Sequence, residues 1–114
     1  MESEIILSFA TITIATYSIG ADILITVKGG DQPHIGTAVL AVPRPSLTGD
    51  ESVSATSSVL NVTGHKDEVI CRMLAEKASK KYKATAVCTG GFHMDNMSAE
   101  QIEEVVSAIQ NFDL

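Results

Sequence analysis

A chain of 114 residues that is 45% apolar holds enough for one hydrophobic core and too little for two, so one domain over residues 1–114 is expected. A net charge of −6 argues against nucleic acid as partner, because that binding draws on phosphate neutralisation. Glu2 and Glu4 precede the short apolar run at residues 5–7, which is neither the basic start of a signal peptide nor a membrane span.

In chain order, residues 5–17 are rich in β-branched side chains, and Ile12 and Ile14 alternate with Thr11 and Thr13, which predicts a strand with one wet face. Residues 18–21, with Gly20, read as a turn into a second strand over 22–28, where Ile23, Ile25 and Val27 share a face. Gly29 to Pro33 break the chain. A third strand is predicted over 34–42, ended by Pro43 and Pro45, which lack an N–H for the ladder. Residues 46–54 read as a loop and 55–62 as a fourth strand.

From His65 the period changes. Val69, Ile70, Met73, Leu74 and Ala78 fall on one stripe of a helix that ends near Lys81, where its basic last turn suits the dipole. Residues 84–89 predict a buried strand bounded by Gly90 and Gly91. Ser98 and Gln101 then form a capping box ahead of Ile102, Val105, Val106 and Ile109 at helical spacing. The expected fold is α+β: a mostly antiparallel sheet of about five strands with two helices covering one face.

Cys71 and Cys88 fall on the predicted helix and strand without CxxC spacing, which suits a reducing compartment, so a cytoplasmic, membrane-free protein is expected. Self-association would add stability to so small a core, and a homo-oligomer is expected. The charge is uneven: residues 64–83 carry six lysines and arginines against three acids, whereas residues 84–114 carry five acids and no lysine or arginine. That pattern fits a solvated helix face or attraction of one small anion.

All three histidines stand beside chain-breaking residues at element ends, where glycine lets backbone approach a ligand closely. The segments are Gly29-Gly30-Asp31-Gln32-Pro33-His34-Ile35-Gly36, Gly64-His65-Lys66, and Gly91-Phe92-His93-Met94-Asp95-Asn96. Gly64, His65 and Lys66 open a helix, so free N–H groups, the dipole and an ammonium point at one place, suited to a phosphate or carboxylate. Asp67 and Glu68 equally suit a plain capped helix start. His93 and Asp95, two apart on an extended segment, point the same way. With His34 and His65 they could form a metal site or hold an organic ligand; the second is preferred, so no metal is expected. No nucleophile arrangement, GxGxxG or P-loop lysine is present, and no catalytic residue is assigned.

On these same segments the chain resembles the LpdD-like prenylated-flavin chaperones, the family of the small D-type subunit of gallate decarboxylase. The motifs that carry the resemblance are Gly29 to Gly36, the run at residues 54–60 leading into Gly64-His65-Lys66-Asp67, and Gly91 to Asn96. It implies a protein that binds prenylated FMN, or FMN, and supports maturation of a UbiD-type decarboxylase subunit, and that is not itself an enzyme. The cofactor-binding positions it implies are Gly29, Gly30, His34, Gly36, Gly64, His65, Lys66, Gly91, His93, Asp95 and Asn96. One rival reading is a small metal- or histidine-dependent enzyme acting on a small anionic substrate; another is a purely structural decarboxylase subunit with histidines at an interface.

Overall fold

The computed structural model describes residues 1–47, 52–62 and 67–114. Its strands are β1 (Glu2–Ile6), β2 (Thr11–Ile19), β3 (Asp22–Gly30), β4 (Thr37–Pro45), β5 (Val53–Asn61) and β6 (Ala86–His93). The helices are α1 (Glu68–Tyr82), between β5 and β6, and α2 (Ala99–Gln110), after β6. One sheet has the order β1-β2-β3-β6-β4-β5. Every neighbouring pair is antiparallel except β3 with β6, which run parallel from Ile23–Ala86 to Gly30–His93. Insertion of β6 between β3 and β4 brings the ends of β3 and β6 and the start of β4 side by side.

The α+β class holds, with six strands and a mixed sheet. The extra strand comes from the first apolar run, which folds back on itself: Leu7 N–H donates to Ala10 O, and Ser8 donates to the Glu104 carboxylate through both its N–H and its hydroxyl. No glycine or proline marks that reversal. A bond to a residue 96 positions away holds it.

Two ends also differ from expectation. Prolines 43 and 45 lie inside β4, because pairing with β6 stops at Ala41 and leaves β4 bordered only by β5 beyond that point, an edge where a missing N–H is tolerated. Gly90 and Gly91 lie within β6, which runs on to His93.

Ile12, Ile14, Ile25, Val27, Val39, Ala41, Ala86 and Cys88 occupy one face of the sheet and are buried with Ile70, Cys71, Leu74, Ala75 and Ala78 of α1. Val105 and Ile109 of α2 join the same core. The helices are tied together at the end of the chain, where the Lys77 ammonium donates to Gln110 O at 2.8 Å and Phe112 O at 2.6 Å. Among the described residues no helix is long and apolar enough to cross a membrane.

Candidate functional site

The parallel pair ends where two of the predicted segments, Gly29 to Gly36 and Gly91 to Asn96, come together. Gly30, at the end of β3, has a φ of +80°, and a Cβ there would sit 2.1 Å from His93 O. Only glycine allows that approach. The chain turns at once, with Asp31 and Gln32 N–H groups both directed at His93 O, and His34 swings back over the sheet.

His34 meets Asp67, the residue before α1. Asp67 is 6% exposed, and its Oδ2 lies 3.0 Å from His34 Nε2 while its Oδ1 accepts the Phe92 N–H at 3.0 Å. His34 Nδ1 is 3.1 Å from Gln32 O. Both ring nitrogens therefore face oxygen atoms, which holds the imidazole between Gln32 and Asp67.

Space for the pair comes from two glycines on neighbouring strands. A Cβ on Gly36 would stand 2.1 Å from Asp67 Oδ2 and 2.9 Å from His34 Nε2, and one on Gly91 would stand 2.8 Å and 3.0 Å from the same atoms. The two positions are locked together by Gly36 N–H donating to Gly90 O.

His93 stands edge-on to His34, ring centroids 5.8 Å apart and planes at 82°, and its Nε2 lies 3.1 Å from Asp95 Oδ1. Two histidine–carboxylate pairs thus adjoin, one mostly buried and one open to solvent. Beside them a cavity of about 460 Å³ runs between the start of α1, the end of β6 and α2, with Ile70, Phe92, Met94, Met97, Val105 and Val106 as apolar wall and Asp67 and His93 as polar edge. That volume falls in the range of small-molecule sites. A second cavity of about 380 Å³ at the far end of the sheet contains neither histidine pair.

The expected site residues Gly29, Gly30, His34, Gly36, Gly91, His93 and Asp95 all fall in this region. Gly29 does so indirectly, with a Cβ there meeting the Phe92 ring at 2.5 Å. Asn96, at a φ of +58°, makes the turn before α2. Gly64, His65 and Lys66 lie outside the described residues. Asp67 was expected to cap a helix, yet it makes no side-chain cap bond; its carboxylate is committed to Phe92 and His34. Its role was hidden because only the β4–β6 pairing brings Gly36 and Gly91 under it. Met94 and Met97 carried a readable signal, two soft apolar side chains in the loop after a histidine. Among the described residues no three His, Cys, Asp or Glu side chains are grouped to hold a metal ion.

A mixed sheet with a mainly apolar pocket, edged by Asp67 and His93, at the end of its parallel pair defines a class: small α+β domains with a preformed cavity. The chain belongs to the prenylated flavin chaperone LpdD-like domain family, whose sequence pattern matches residues 8–112. It is also 31% identical over 84 residues to Protein LpdD of Lactiplantibacillus plantarum, an alignment that covers 74% of this chain and 58% of that protein's length.

Proposed function

We propose that the protein binds prenylated FMN at the His34–Asp67 and His93–Asp95 cluster and delivers it to a UbiD-type decarboxylase, acting as a carrier without catalysis of its own. The observation that carries this reading is the cavity itself, an apolar wall meeting a polar edge, within a chain of the prenylated flavin chaperone family. A flavin ring extended by an apolar fourth ring needs such a wall, and its carbonyls and ring nitrogens need hydrogen-bond partners of the kind that His93 and the His34–Asp67 pair supply. Lys66, adjacent to Asp67 in the chain, is proposed to hold the phosphate.

A carrier must release its cargo. The outer pair is solvent-exposed, with Asp95 at 70% and His93 at 39% side-chain exposure, so cargo held against it remains within reach of a receiving protein.

The test is co-expression with a flavin prenyltransferase. The purified chain is expected to carry about one prenylated flavin, read by absorbance and mass, and to lose it to an apo-decarboxylase that gains activity. Retention of no flavin, or of plain FMN alone, would contradict the proposal. The rival enzyme reading draws on the same histidine–carboxylate pairs, so elemental analysis is the companion measurement: no stoichiometric transition metal is expected, and about one zinc, iron or manganese per chain would favour the rival.

A further inference from the structure

Among the described residues, one face of the sheet carries no helix. Strand alternation places Ala15 and Tyr17 of β2, Leu24 and Thr26 of β3, Val87 and Thr89 of β6, Ala38 and Leu40 of β4, and Ser58 and Leu60 of β5 on that face, opposite the core residues. The pairings arrange them as two rows across five strands. One runs Tyr17, Leu24, Val87, Leu40, Ser58, and the other Ala15, Thr26, Thr89, Ala38, Leu60. Neither row contains a charge.

A solvated antiparallel face ordinarily alternates with lysine and glutamate. This one is apolar and hydroxyl-bearing at its centre, with Tyr17 at 51%, Leu40 at 42% and Leu60 at 77% exposure, and its charges stand at the margin: Glu2, Glu4, Asp22, Lys28 and Arg44. An uncharged centre inside a charged rim is the anatomy of an interface.

We infer that this face packs against the same face of a second copy, forming a two-fold dimer of stacked sheets. Two observations select a second copy. The first is area: six strands at about 4.8 Å spacing and about 3.3 Å rise per residue give a flat footprint on the order of 700 Å², near the roughly 800 Å² per partner of a stable interface. The second is charge. Asp22 and Lys28 stand at opposite ends of the same face of β3, beyond the two uncharged rows, and both are exposed. A two-fold axis lying between the rows, across the strands, sets Lys28 of each copy over Asp22 of the other and lays each uncharged row on its counterpart, an arrangement only a self-complementary face provides.

Sedimentation equilibrium and light scattering of the full chain at about 50 µM test it. Wild type is expected at twice the 12.1 kDa chain mass, and Leu40→Glu at the monomer mass with unchanged circular dichroism. Lys28→Asp should weaken the dimer at least tenfold, and the double exchange Lys28→Asp with Asp22→Lys should restore it. A monomeric wild type overturns the inference, as does a dimer indifferent to both Leu40→Glu and Lys28→Asp. Should Leu40→Glu fail to fold, the two surface charge variants decide the matter alone. Flavin retention is read separately, so loss of one property without the other distinguishes this inference from the proposed function.

Discussion

Asp67 is the residue on which the site turns, because a buried carboxylate is tolerated only when its oxygens are hydrogen-bonded. Asp67→Ala removes the acceptor of the buried Phe92 N–H and the carboxylate beside His34 Nε2, and an unsatisfied buried donor costs about 1–3 kcal/mol. Unfolding in urea should show a loss of about 2 kcal/mol or more, together with loss of flavin retention. Gly36→Ala tests the same packing from below, since its methyl would overlap the carboxylate; a loss of about 1–3 kcal/mol is expected. The two buried cysteines make a separate prediction. Cys71 beside it and burial together raise the Cys88 thiol well above its ordinary range, and Cys71 is fully buried. A thiol reagent should therefore label neither cysteine in the native protein and both after unfolding.

At the scale of elements, legibility followed the range of the forces. The capping box of α2 was readable because its partners are three residues apart, and the structure has both halves: Gln101 N–H donating to Ser98 Oγ at 3.1 Å and Ser98 N–H donating to Gln101 Oε1 at 2.9 Å. Strand β3 and helix α1 were likewise marked by period. The β1–β2 reversal was not, since its anchor is Glu104, and neither was the continuation of β6 through Gly90 and Gly91, which only the pairing with Val27, Lys28 and Thr37 explains. The histidine segments were legible one by one. That His34 and His93 share a site was expected from their chemistry; the route by which they meet was not legible, because it depends on β6 entering between β3 and β4.

The Ser8–Glu104 contact carries a pH signature. Two donors from Ser8 lower the folded-state value of Glu104 below the ordinary glutamate value of 4.5. A lowered folded value means that the stabilisation is fully present above the unfolded value and is lost as the pH falls through the folded one. Glu104 is solvent-exposed, so the effect is small. Melting curves from pH 6 downward should fall less steeply for Ser8→Ala than for wild type; parallel curves would contradict the assignment.

For the whole molecule, the helices cover one face of the sheet, the end of the parallel pair bears the proposed ligand site, and the bare face is the proposed contact with a second copy. The site's polar half is built by segments some sixty residues apart in sequence, so its histidines should act together. His34 and His93 rings 5.8 Å apart are close enough to share one ligand, and groups that share a ligand lose affinity non-additively. His34→Gln is the suitable variant, because its amide can still donate to Asp67 and spare the fold; His93→Ala is suitable because His93 is only half-buried and lies at the cavity edge. Calorimetric titration of wild type, each single variant and the double variant with prenylated FMN should show about a tenfold loss for each single change. It should also show a double variant distinctly less impaired than the product of the two losses, with melting temperatures within a few degrees. Unchanged affinity in the single variants, or losses that multiply in full, would contradict a shared prenylated-flavin site.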